Sequence, residues 1–161
     1  MADHDTIDHT GLTGVSGVGN LWTMNKSSSQ TLTSNTLTAI TFDTAVIDGG
    51  GSVIDLANDR FVIPATGFYL VFLNWLWETT TPTIDTYMSV KVGATESIPL
   101  IRGQAITASM RANGGINGSG ALSLTAADLV TMHIQPGVAT PTARGNASKH
   151  LATTFTLVRI T

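Results

Sequence analysis

Residues 67–77 read Gly-Phe-Tyr-Leu-Val-Phe-Leu-Asn-Trp-Leu-Trp. Side chains along a strand alternate between its two faces. One face of this run carries Phe68, Leu70, Phe72, Asn74 and Leu76. The other carries Tyr69, Val71, Leu73, Trp75 and Trp77. An antiparallel strand in a small domain usually wets one of its faces. Here neither face favours water. One can fill the core of a domain, and the other needs a second layer or a second subunit. Just before it, Arg60–Ile63 reads as a short strand, and Pro64 and Gly67 mark the turn between the two.

The rest of the chain punctuates itself in the same way. Strand signals occur at 21–25, 30–33, 37–42, 52–56, 60–63, 67–77, 83–92, 97–101, 105–112, 120–124, 129–135 and 153–160. Turn clusters such as Asp48-Gly-Gly-Gly51, Asn113-Gly-Gly115, Asn117-Gly118 and Pro136-Gly137 separate them. Short strands at regular spacing with turn residues between them indicate a sandwich or jelly roll. Thr125-Ala-Ala-Asp128 is too short for a helix and reads as a turn. With 161 residues, one domain with an ordinary core is expected.

Charged residues make up 12% of the chain, about half the usual share of roughly 25%. So little charge leaves little surface for solvation and points to an oligomer or a larger assembly. Asp3, Asp5 and Asp8 account for the net charge of −3, because the remaining eight acidic and eight basic residues cancel. No basic cluster exists to attract nucleic acid. The absence of cysteine excludes disulfides and thiolate chemistry. The start Met1-Ala-Asp-His-Asp5 lacks the basic region of a signal peptide. The most apolar window, 61–77, is broken by Pro64, Gly67 and Asn74, so no membrane helix is expected. Synthesis in a cytoplasm follows as the expectation.

Residues 1–19 form no apolar period and are interrupted by Gly11, Gly14, Gly17 and Gly19. They read as an extended N-terminal arm, and residues 20–161 as the jelly-roll domain.

Several segments in order carry a family resemblance. They are Thr41-Phe-Asp-Thr44, Asp48-Gly-Gly50, Arg60-Phe-Val-Ile-Pro-Ala-Thr-Gly-Phe-Tyr-Leu-Val71, Leu122-Ser-Leu124 leading to Asp128-Leu-Val130, and Thr154-Phe-Thr-Leu-Val158. Together they resemble the jelly rolls of the tumour necrosis factors and the complement globular heads. The Pro64-x-x-Gly67-x-Tyr69 core is the most specific part. The closing strand departs from the family pattern at Thr156, where many members carry Gly. The resemblance implies an all-β, TNF-like jelly-roll sandwich that assembles as a homotrimer through an apolar sheet face. The expected trimer interface is Tyr69, Val71, Leu73 and Trp75, with Asn74 beside them. A polar Asn74 buried between subunits must be hydrogen-bonded, and so would fix their register.

The arm string Asp3-His-Asp-Thr-Ile-Asp-His-Thr-Gly-Leu12, with glycine-rich sequence after it, resembles N-terminal segments of small bacteriophage virion proteins. Its expected anchoring residues are Asp3, His4, Asp5, Ile7, Asp8, His9, Leu12 and Val15. Three arms on one trimer would act multivalently. The expectation is a virion structural protein: a trimeric capsid decoration protein on the capsid exterior, held to the major capsid protein or neighbouring virion proteins. The alternative is the receptor-binding tip of a head or tail fibre that recognises a host glycan or protein. Trp77 beside Thr79-Thr-Thr-Pro82 would then offer a sugar platform.

Chemistry-bearing patterns are weak. His4/Asp8 and Asp5/His9 have i,i+4 spacing, but their Thr/Gly-rich context does not make a helix that would align metal ligands. Gly14-Val-Ser-Gly-Val-Gly19 has the wrong glycine order and setting for a dinucleotide loop. Asp43, Asp48, Asp55 and Asp59 lack a calcium-loop pattern. His133 alternates with Met132 and Ile134, so a packed or interfacial histidine is expected, and His150 falls in a loop. No nucleophile elbow or paired carboxylates appear. No enzyme activity, cofactor or metal is expected.

Overall fold

The computed structural model describes residues 20–77, 84–94, 96–106, 115–137, 141–146 and 152–160. The arm at 1–19, the loop at 79–82 and His150 lie outside them. Thirteen strands follow in order: β1 Leu21–Asn25, β2 Gln30–Thr31, β3 Thr38–Ala39, β4 Thr44–Asp48, β5 Ile54–Asp55, β6 Arg60–Val62, β7 Gly67–Leu76, β8 Ile84–Val92, β9 Glu96–Ile106, β10 Gly115–Leu124, β11 Leu129–Pro136, β12 Thr142–Ala143 and β13 Thr154–Arg159. No helix occurs among the described residues.

Two antiparallel sheets stack. One has the strand order β10-β7-β13-β1-β4, and the other β5-β6-β11-β8-β9 with β3 also paired to β11. A two-stranded piece, β2 with β12, accompanies them. Consecutive strands repeatedly fall in opposite sheets, which is the jelly-roll pattern. The expected all-β sandwich is therefore present.

The core lies between the sheets. From β7 it takes Tyr69, Val71, Leu73 and Trp75, with Trp77 just beyond. From β13 it takes Phe155 and Leu157, and from the opposite sheet Phe61, Met88, Val90, Val130, Met132 and Ile134. The Phe155 ring lies 4.7 Å from Phe61 and 6.1 Å from Phe42, centroid to centroid, in tilted geometry. Such aromatic contacts add to the stabilisation from burial alone. The Tyr69 hydroxyl donates to the Ala65 carbonyl at 2.6 Å, fixing the turn that launches β7. Gly145 lies so close to the Ser28 backbone that a Cβ there would overlap it.

Some expected boundaries are revised. β4 was not expected, and the 97–101 and 105–112 signals meet in β9, which runs unbroken to Ile106. Asn117-Gly118, expected as a turn, sits inside β10, directly opposite Asn74 and Leu73 of β7. A ten-residue ladder with β7 satisfies the backbone there and overrides the local turn preference. The turn at 125–128 is present, closed by Asp128 N–H donating to the Thr125 carbonyl at 3.0 Å. Ala127 takes φ of 70° in it.

Phe155→Ala should cost about 3–5 kcal/mol, the range for removing a buried aromatic ring. Denaturant titration should show a lower midpoint with an unchanged slope. A shift no larger than that of a surface substitution would mean that Phe155 is not at the centre of the core.

Candidate functional site

The residues expected at a subunit interface are placed differently. Tyr69, Val71 and Trp75 are each 0% exposed within the single chain, and Leu73 is 1% exposed. They form the intrachain core and have no surface to offer a neighbour. Trp77 is also buried and bridges to Ala143, so it is no sugar platform. The reason is positional: the β7 face that meets the second sheet bears the alternate residues Tyr69, Val71, Leu73 and Trp75. Of the expected interface residues, only Asn74 points the other way.

That other face becomes the candidate site. Phe68 is 58% and Phe72 44% exposed. Strand register extends the face sideways, because residues directly opposite share a side of the sheet. One row reads Ser123 and Phe68. The next reads Ala121, Leu70, Val158 and Leu21. A third reads Ser119, Phe72, Thr156, Thr23 and Ile47. A fourth reads Asn117, Asn74, Thr154, Asn25 and Thr44. The hydroxyls of Thr23 and Thr156 meet at 3.0 Å, as neighbours in such a row should. Not one Asp, Glu, Lys, Arg or His stands in these rows. Exposed Ile160 and Ile47 extend the apolar area toward the end and the edge of the sheet.

The face is graded. Its Phe68 end is apolar. Its fourth row is made of amides and hydroxyls, beside a hollow of about 240 Å³ lined by Phe72, Leu73, Asn74, Asn117, Gly118, Ser119 and Thr154. Asn74 Nδ2 donates one long bond, 3.5 Å, to the Ala152 carbonyl. Asn25 is fully buried, and neither amide atom has a hydrogen-bond partner.

A second feature escaped sequence reasoning. Lys26 is buried, yet its ammonium is well solvated by protein oxygens. Nζ donates to the Thr41 carbonyl at 2.6 Å, Thr41 Oγ1 at 2.7 Å and Gln30 Oε1 at 3.3 Å. Burial pushes this lysine below its usual range, while the charges of Asp43 and Asp59 oppose the shift. Burial would raise Asp43, but hydrogen bonds from Ser27, Thr44 and Ser28 outweigh it and hold the carboxyl below its usual range. Asp59 accepts the Phe42 N–H at 2.5 Å. This polar clasp ties the turn after β1 to the segment between β3 and β4. No sequence period signals it, because its members come from separate loops.

The other candidate carboxylates are likewise used locally. Asp48 accepts the Gly50 N–H at 2.9 Å. Asp55 accepts the Asn58 amide and pairs with Arg60 Nε at 2.8 Å. Among the described residues, no group of three or more His, Asp or Glu side chains is gathered as a metal site would need.

His133 lies on the β11 face opposite Val130, Met132 and Ile134, as its alternation implied. It is packed against the sheet with only 9% exposure. Its Nε2 meets Thr131 Oγ1 at 3.0 Å, while Nδ1 is buried without a partner. Ser89, directly opposite in register, also has a buried and unpartnered hydroxyl. Burial first, and the nearby Lys91 charge second, lower the His133 pKa to about 4.

No family model matches this chain, and no curated protein sequence matches it. Solved structures do. Murine APRIL at pH 8.0 superposes with a TM-score of 0.59 at 17% identity, covering 88% of this chain and 98% of that one. Murine APRIL at pH 5.0 gives the same TM-score and coverage at 16% identity. The globular domain of zebrafish complement 1qA gives a TM-score of 0.53 at 11% identity, again covering 88% and 98%. The fold is a tumour-necrosis-factor-like jelly roll. In this jelly roll, β7 is the strand that follows the Pro64-x-x-Gly67-x-Tyr69 turn and runs second from one edge of its sheet.

His133 supplies a pH test. Folded, it stays neutral down to about pH 4, whereas an unfolded histidine takes its proton near 6.5. Between those values the unfolded chain holds more protons. Stability is therefore complete above about pH 6.5 and falls as the pH drops toward 4, by roughly 3 kcal/mol. His133→Gln should flatten this part of the stability profile. An unchanged slope would place the acid sensitivity elsewhere.

Proposed function

We propose that this chain is a structural protein of a bacteriophage virion: a homotrimeric decoration protein on the capsid exterior. It acts by contact and carries out no catalysis. The single observation that supports self-association most strongly is the outward face of the β10-β7-β13-β1-β4 sheet, whose paired rows carry no charge and on which Phe68 and Phe72 are exposed. Contiguous apolar area on a small domain marks an interaction surface. Fully covering one large apolar side chain contributes roughly 1.5–3 kcal/mol. A closed ring of three copies covers the face in every copy and leaves none to recruit more chains.

The virion setting is supported by the N-terminal arm, residues 1–19, with its acidic start and glycine-rich continuation. The arm's anchoring residues in this reading are Asp3, His4, Asp5, Ile7, Asp8, His9, Leu12 and Val15. Its partners are the major capsid protein or neighbouring virion proteins. Three arms per trimer raise the effective concentration of each after the first has bound.

Deleting residues 2–19 should abolish attachment to capsids, measured by co-sedimentation, while the head keeps its oligomeric mass. Capsid binding by the arm-less head at undiminished affinity would contradict the anchoring role. Binding of that isolated head to host cells would instead favour a receptor-binding fibre tip.

A further inference from the structure

We infer that the row Asn117–Asn74–Thr154 is the specificity-determining element of the self-association face, restricting it to one register. This rests on the self-association reading above. The apolar part of the face, around Phe68, Leu70 and Val158, is permissive. Hydrophobic contact is non-directional, so many sliding arrangements of two such surfaces bury similar area. With no charge in any row, ion pairs cannot select among them either.

The polar row can select. Asn74, Asn117 and Thr154 stand on three adjacent strands, directly opposite one another in register. A carboxamide offers two donors and an acceptor with two lone pairs. Asn74 uses one donor, in a 3.5 Å bond. Among the described residues the side chains of Asn117, Ser119 and Thr154 make no hydrogen bond, and Asn117 and Ser119 are exposed. Excluding solvent from them in a mismatched contact leaves buried polar groups unpaired, which is costly.

The hollow sharpens the demand. The row borders a recess of about 240 Å³ rather than a flat surface. A neighbour packed flat across it would seal in the unused amides. Only an arrangement that brings polar groups of the second copy, or waters held between copies, into the recess satisfies them. On the self-association reading the occupant is a second copy of this chain, because a face with no charge in its rows meets its own copy without like-charge repulsion. A single polar residue fixes register and oligomeric state in helical assemblies at some cost in stability. Here the same device is laid across a sheet.

The test is the native mass distribution of the full chain, measured by native mass spectrometry over a concentration series. The wild type, Asn117→Leu and the Asn74→Leu/Asn117→Leu pair are compared. Asn117 is exposed in the single chain, so Asn117→Leu should fold normally, which circular dichroism checks. The wild type is expected to give one oligomeric mass. Both variants should still associate, but the share of protein at other masses should rise several-fold, most in the pair. Variants that keep one sharp mass at every concentration overturn the register role while leaving self-association intact. A wild type that stays a single chain overturns the self-association reading itself, and this inference with it.

Discussion

A strand with neighbours on both sides has two faces, and in β7 both are apolar while the second sheet covers only one. β7 concentrates this constraint. Its Tyr69, Val71, Leu73 and Trp75 close against the second sheet and are sealed there. β10 and β13 flank it on both sides, so its other face is continuous with theirs on the sheet's outer surface. Phe68 and Phe72 are left standing exposed there. The position of the core and the location of the uncovered surface both follow from which side of β7 turns inward.

The architecture was legible in the sequence because strand and turn signals are local. The Pro64–Tyr69 frame marks the start of β7, and its pairing partners β10 and β13 carry strand signals of their own. The inward face of β7 was not legible. Both faces are apolar, so alternation alone does not rank them. The ranking comes from partners distant in sequence, such as Phe155 stacking with Phe61 across the core. Asn74 is the polar exception in β7, and alternation places it with Phe72 on the outward face rather than with Tyr69 and Trp75. β4 was missed for a related reason: Ala45, Val46 and Ile47 are all exposed, so burial imposes no two-residue period on them.

The charge reading was correct in sum and uninformative in detail. A body with eight acidic and eight basic residues looked electrostatically plain. The structure places Lys26 inside it, neutral oxygens around the ammonium and two aspartates within electrostatic reach. Among the described residues, Lys26, Asp43, Asp48, Asp55 and Asp59 hold loops together, and no charged residue stands in the paired rows of the outward sheet face. The rows of that face are thus free of charge, something the overall percentage only hinted at. This also explains why hydrogen-bonding amides, rather than ions, are the groups available there to discriminate one contact from another.

The central claim is that the Phe68/Phe72 face is buried between copies of this chain. The most direct measurement is the solution mass by light scattering of the wild type and of Phe72→Asp, which plants a charge in the middle of that face. The account predicts three times the 16.8 kDa chain mass for the wild type. For Phe72→Asp it predicts the mass of one chain, with an unchanged β-sheet spectrum. A wild type at 16.8 kDa at its highest soluble concentration would contradict the account, as would a Phe72→Asp variant that assembles as fully as the wild type.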